Sequence, residues 1–211
     1  MSTAPHDAVP VVLPDPDPDV EPEPALGAVV EQGRGSLPYA LIHGEALVAC
    51  ASWALGDAGI TAVDLGTGWE GVADAGEPFV LHDALCPMTP ASFLAACVRA
   101  AVERDAVVVG VRPVTDTVKA ADDGVLGETL DRDALLAVAS PVVLPASVVA
   151  AWAAEPWESS PDAPGGSDGL ARWVADLAAR YPVVTVEAPP EARRVTTLDE
   201  VRLLEALTGK G

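Results

Sequence analysis

Lysine is almost missing from this chain. Only Lys119 and Lys210 occur among 211 residues, against ten arginines, and the 12 basic residues together face 32 acidic ones. The formal net charge of −20 makes nucleic acid and anionic membranes poor partners unless basic groups cluster locally, because the far field repels them. Cysteine is equally sparse: Cys50, Cys86 and Cys97 form no C-x-x-C pair and are odd in number. That pattern fits a reduced, cytoplasmic protein that uses its thiols as small apolar side chains. Neither a charged start leading into an apolar run nor a bilayer-length apolar segment is present, so secretion and membrane insertion are not expected.

What is present divides into a tail and one domain. Residues 1–25 form an acidic, proline-rich tail, and the run from Pro14 to Pro24 alternates proline with carboxylates. Such a run buries little apolar surface and has few donors for a ladder, so an extended, disordered, solvated tail is expected. Residues 26–211 suffice for a single domain with a substantial core. Within it, Leu26–Val30, Ile60–Leu65, Phe79–Asp83, Val107–Val111, Pro141–Leu144 and Val183–Glu187 read as strands. Helical spacing covers Gly44–Asp57, Thr89–Glu103, Asp133–Val138, Pro145–Ala154, the stretch up to Arg180, and the chain end after the N-cap Thr197. Alternation of this kind implies an α/β sandwich with a mostly parallel, Rossmann-like sheet.

The stretch from Ala106 to Arg132 is the most informative. After the buried run Val107–Val111 come Asp116, Thr117 and Lys119, then Asp123-Gly124, a hairpin-turn signal, then Thr129, Asp131 and Arg132. Folding at Asp123-Gly124 brings the two ends together, giving a projecting arm over about 114–132 with Lys119 and Arg132 at its base. In a lysine-poor chain, Lys119 in such a place is a marked feature.

Asp116-Thr117-Val118-Lys119 followed by Thr129-Leu130-Asp131-Arg132 resembles the D-T-(I/V)-K and T-x-x-R pair of the 2-C-methyl-D-erythritol 4-phosphate cytidylyltransferases. His82-Asp83-Ala84-Leu85-Cys86-Pro87 is similar to that family's H-D-A-A-R-P. The resemblance implies a three-layer nucleotidyltransferase fold, a homodimer joined through the arm, and an acceptor-phosphate pocket built from Thr117, Lys119 and Arg132. It also implies a Mg²⁺ ion at Asp83, nucleotide contacts at Gly33 and Gly35, and catalytic cations at Arg34 and Arg194, the latter where the family has lysine.

The nucleotide side departs from the pattern. Gly33-Arg34-Gly35 stands where the family has a longer phosphate-cradling loop, and it also reads as a plain turn. Tyr39 replaces a lysine, Cys86 replaces an arginine, and a short Gly66–Pro78 connection replaces a cytidine-binding segment. His82-Asp83 reads equally as a cap for the helix that starts near Thr89-Pro90. Two functions follow from the resemblance: a pseudoenzyme of the isoprenoid-precursor pathway family acting as a binding or assembly paralogue, or an active transferase joining CTP to a polyol phosphate with release of pyrophosphate.

Overall fold

The β-branched runs become the middle of one six-stranded sheet in the computed structural model of the chain, which describes residues 10–14, 16–17, 20–64, 67–115, 117–122, 125–132, 135–154 and 167–209. In chain order the strands are β1 (Ala25–Val30), β2 (Leu41–Ile42), β3 (Glu45–Ala46), β4 (Ile60–Ala62), β5 (Phe79–Asp83), β6 (Val107–Pro113), β7 (Val118–Asp122), β8 (Val125–Leu130), β9 (Leu136–Leu144) and β10 (Val183–Glu187). The helices are α1 (Leu47–Asp57), α2 (Trp69–Asp74), α3 (Ala91–Arg104), α4 (Ala146–Ala154), α5 (Ser167–Ala178) and α6 (Leu198–Thr208).

The large sheet has the order β10-β6-β9-β5-β1-β4. Its pairings are parallel except at β9, which runs antiparallel to both β5 and β6. Strands buried on both faces explain the unbroken Val107-Val108-Val109 run. Val107 and Val109 face a core with Leu144, Trp152, Trp173 and Leu177, whereas Val108 faces Leu55, Leu94, Cys97 and Val98 on the other side. Each valine is fully buried, and burying one such side chain contributes roughly 1.5–3 kcal/mol. The fold is therefore the expected α/β sandwich with a mostly parallel sheet.

Helix α1 starts at Leu47, three residues later than its apolar spacing suggests, because Leu41–Ile42 and Glu45–Ala46 first pair as a small hairpin turning at His43-Gly44. Its exit uses Gly59, whose φ of +79° is the left-handed geometry that favours glycine.

Several expectations are corrected. Residues 136–138, expected as the end of a short helix, are the start of β9, where Val138 pairs with Val111 and Leu136 with Pro113. Pairing with an existing edge overrides the weak helical spacing there. Thr89 does not cap α3; its hydroxyl donates to Cys86 O at 2.8 Å, and Pro90 occupies the cap position. The Gly66–Pro78 connection contains a helix of its own, α2, whose Trp69 stacks on Trp152 at 5.1 Å and meets Phe79 edge-on. The tail does not stay clear of the domain throughout: Val11 forms a parallel bridge with Val186. Residues 156–166 of the Pro-, Gly- and Ser-rich stretch from Pro156 to Ser167, expected as a loop, lie outside the described residues, as do Asp116, the Asp123-Gly124 turn, residues 133–134 and Lys210.

The arm forms as expected. Strands β7 and β8 pair antiparallel, with Val118 opposite Leu130, Lys119 opposite Thr129 and Asp122 opposite Val125. They make a separate two-stranded sheet, rooted where β6 and β9 extend past the main sheet as far as Pro113 and Leu136.

Candidate functional site

Three charged side chains that are far apart in sequence meet at the carboxyl end of β5. Asp83, the last residue of that strand, is 2 % exposed. Its Oδ1 accepts from Arg34 Nε at 3.2 Å and from the Leu85 backbone N–H at 2.9 Å. Its Oδ2 accepts from Arg34 Nη2 at 3.2 Å and from Arg194 Nε at 3.1 Å. A carboxylate has about four lone-pair sites, and here each has a donor. Burial pushes the Asp83 carboxyl up. Hydrogen bonding to Arg34, the charges of Arg194 and Arg34 and the Leu85 N–H outweigh that and hold it below the usual carboxylate range.

Local structure explains how the two guanidiniums arrive. Gly33 and Gly35, on either side of Arg34, have φ of +71° and +61°. These conformations curl the loop after β1 so that Arg34 turns inward, where it is 8 % exposed and also donates through Nη1 to Gln32 O at 3.0 Å. Arg194 is placed by its neighbour: Val195 N–H donates to Leu85 O at 2.8 Å, and its side chain is buried with Ile42, Leu47, Leu85, Val201 and Leu204. The start of α6 anchors the same loop. Glu200 N–H donates to Thr197 Oγ1 at 3.2 Å, while Glu200 Oε2 accepts from Thr196 N and Oγ1, a variant of the capping box. Thr197 thus serves as the N-cap expected of it.

Behind Asp83 lies a neutral layer. Ser140 Oγ accepts from Asp83 N–H at 3.0 Å and sits 2.6 Å from His82 Nδ1. A hydroxyl can give its proton and accept twice, so Ser140 joins the strand end to the imidazole whichever ring tautomer is present. His82 is fully buried, and burial pushes its pKa down to about 4 against the opposing charge of Asp83. His82 therefore supports the strand end and does not cap a helix. Cys86, also fully buried, has its thiol pushed well up by burial and by the Asp83 charge, so it stays neutral. Tyr39 is 61 % exposed and donates to Glu31 Oε2 at 3.1 Å.

The site residues thus fall into two groups. Arg34, Asp83 and Arg194 form one centre, with Gly33 and Gly35 in the loop that shapes it. Thr117, Lys119 and Arg132 are exposed at the base of the arm, where Arg132 Nη1 donates to Thr115 O at 2.8 Å and ties the two feet of the arm together. Sequence reasoning missed Ser140, whose hydroxyl is the link between His82 and Asp83, and the Leu85 N–H; a small hydroxyl residue inside an otherwise apolar strand is the only signal for the former. The donor set does not fit a protein-held metal well. Every acceptor site of Asp83 is occupied, and no cluster of three or more His, Cys, Asp or Glu able to hold a metal occurs among the described residues. No helix of the described residues is long and apolar enough to cross a membrane.

Comparison with known proteins agrees with this architecture. The family model described as 2-C-methyl-D-erythritol 4-phosphate cytidylyltransferase matches residues 59–168. The chain is 27 % identical over 173 residues to the protein of that name from Corynebacterium diphtheriae, covering 82 % of this chain and 64 % of the relative. It is 37 % identical over 137 residues to the one from Nocardia farcinica, covering 64 % and 54 %. The chain thus spans between about half and two-thirds of the length of these relatives. Among solved structures it is similar to the 2-C-methyl-D-erythritol 4-phosphate cytidylyltransferase of Thermus thermophilus, with a TM-score of 0.61 and 23 % identity over 88 % of this chain and 98 % of that one. A 4-diphosphocytidyl-2C-methyl-D-erythritol synthase from Anaerococcus prevotii gives a TM-score of 0.58 and 14 % identity, with 87 % and 98 % covered. At such identities the likeness carries the fold alone.

Proposed function

Because the chain belongs to the 2-C-methyl-D-erythritol 4-phosphate cytidylyltransferase family, we propose that it is a degenerate member of it: a protein that binds a polyol phosphate weakly and has weak or no nucleotidyl transfer, acting as a binding or assembly paralogue. The observation that carries this reading is the saturation of Asp83 by Arg34, Arg194 and the Leu85 N–H. Two guanidiniums neutralised by one buried carboxylate leave a single net positive charge facing a nucleoside triphosphate with several negative ones. The chain around them is strongly acidic.

The neighbouring positions add little charge. Cys86 holds a neutral thiol and Tyr39 a neutral phenol where the family pattern has cations. Loss of one transition-state donor typically costs about 10²- to 10³-fold in rate, and two such positions are changed. In a bound complex Mg²⁺ would bridge and neutralise nucleotide phosphates; with Asp83 occupied, an ion held chiefly by the nucleotide and water fits better than one held by the protein. The arm supplies the acceptor side, with Thr117, Lys119 and Arg132 of one copy facing a phosphate at the junction with a second copy in a homodimer.

The alternative is an active CTP-dependent transferase. It is supported by the inward pair Arg34 and Arg194 and by the left-handed Gly33 and Gly35, whose curled backbone suits an anion. Titration calorimetry and a coupled pyrophosphate assay decide between them. The expected result is weak binding of 2-C-methyl-D-erythritol 4-phosphate, no heat with CTP and Mg²⁺ near millimolar concentration, a threshold of about −4 kcal/mol, and no pyrophosphate. Steady CTP-dependent turnover would sink the degenerate reading. Asp83→Asn should cost about 3–5 kcal/mol of stability, since it strands Arg34 in a buried site; a chemical-denaturation curve unchanged by the substitution would remove Asp83 from the centre of the argument.

A further inference from the structure

Residues 10–14 read Pro-Val-Val-Leu-Pro and lie along the outer edge of β10. Val11 N–H donates to Thr185 O at 2.8 Å, and Glu187 N–H donates to Val11 O at 3.0 Å, forming a parallel bridge opposite Val186. Leu13 packs on the core cluster of α1 and α3, while Val12 is 74 % exposed. The strand beneath is the last of the sheet, and its sequence, Val-Val-Thr-Val-Glu, contains no proline or glycine and a single charge. An open edge of that composition is a template for pairing with another chain.

The segment laid over it has the opposite character. Pro10 and Pro14 bracket it and offer no N–H to a further strand. Beyond them the alternation of proline and carboxylate runs on to Pro24. The attachment is also thin. It consists of one bridge and the contact of Leu13 with the core, and between the segment and the first turn of α3 lies a cavity of about 420 Å³ bounded by Pro14, Pro16, Phe93, Arg112 and Pro190.

We propose that residues 10–14 are an edge-closing strap over a strand-addition surface, and that the partner this surface takes once the strap is lifted is the β10 edge of a second copy of this chain. The edge is suited to itself. Antiparallel pairing about a two-fold axis sets Glu187 of one copy opposite Val183 of the other, so the two carboxylates lie at opposite ends of the joint, each facing a valine, and the three pairs between them are β-branched and uncharged. The strap removes this contact by using the outward groups of Thr185 and Glu187 within its own chain.

The test uses the full chain carrying Val11→Pro and Leu13→Asp, which remove the donor to Thr185 and the apolar anchor. Hydrogen exchange is read at Glu187, whose amide faces the strap, and at Val184 and Val186. The latter two face β6 by the alternation of a ladder in which Val107 N–H donates to Pro182 O and Ala188 N–H donates to Val111 O. The Glu187 amide should be protected in the unaltered chain and exchange at least about tenfold faster in the variant, with Val184 and Val186 still protected. Sedimentation of the variant should show, with rising concentration, a species heavier than the unaltered chain forms. Adding Thr185→Lys, a charge on the bared edge, should remove that species. Rapid Glu187 exchange in the unaltered chain would overturn the proposal. So would an unchanged sedimentation profile, a heavier species that survives Thr185→Lys, or loss of protection at Val184 and Val186, which would make the segment part of the core and not a cover.

Discussion

Taking the protein from pH 7.5 to pH 5 should cost the fold about 2 kcal/mol through His82 alone. Its ring is fully buried, Nδ1 faces the Ser140 hydroxyl at 2.6 Å, and Nε2 has no hydrogen-bond partner among the described residues. A second ring proton would place a positive charge on a fully buried ring. Burial accordingly pushes the pKa down to about 4, with the Asp83 charge pulling the other way. The unfolded chain titrates this group near its ordinary value of 6.5. Above that value both states are neutral and nothing is lost. Below it the unfolded chain takes up a proton that the fold refuses, so stability falls steadily until about pH 4. At about 1.36 kcal/mol per pH unit, the interval from about 6.5 to pH 5 gives the loss of about 2 kcal/mol, or about 4–8 °C in Tm for a chain of this size. Asp83 does not confuse the measurement, because its depressed pKa puts its own contribution above the carboxylate range and its loss below about pH 4. Denaturant titrations at the two pH values would measure the difference. His82→Asn keeps a polar partner for the Ser140 hydroxyl without a titrating group, and should flatten the profile. If wild type and His82→Asn lose the same stability between pH 7.5 and pH 5, the buried neutral histidine is not the cause.

Two further outcomes are expected. Gly110 lies in the β6–β9 bulge, and a Cβ there would stand 2.7 Å from Ser140 O and 2.9 Å from its carbonyl carbon; Gly110→Ala should therefore lower stability by about 1–3 kcal/mol, read from the denaturation midpoint, because backbone must move. If the proposed homodimer joins through the arm, excising residues 121–126 should leave a monomer by light scattering, since β7 and β8 pair only with each other among the described residues; an unchanged mass would remove the support for that dimer.

The strands were legible because runs such as Val107–Val109 and Phe79–Asp83 are apolar on both faces, a pattern that few other environments tolerate. The arm was legible for a different reason: an Asp-Gly turn signal is local, so the end at residues 116–119 could be brought back beside the end at residues 129–132, while the register shift that sets Lys119 opposite Thr129 could not be read. Helix α6 announced its start through Thr197 and Glu200, three residues apart.

What the tertiary structure alone decided lies at longer range. Residues 136–138 have weak helical spacing, and only the waiting edge of β6 makes them a strand. Val11 belongs to a stretch that composition marks as solvated, and only the open edge of β10 gives it a place. Arg34 and Arg194 are 49 and 111 residues from Asp83. Local spacing records none of this. Their charges could be read one by one, and family resemblance could suggest a shared site, but whether they would face a ligand or each other depends on a loop curled by Gly33 and Gly35 and on a strand end held by Ser140. The sequence by itself determined which segments could be buried and which could turn. The packing of those segments decided that both guanidiniums donate to one carboxylate, because a buried carboxylate draws the donors that the fold brings within reach.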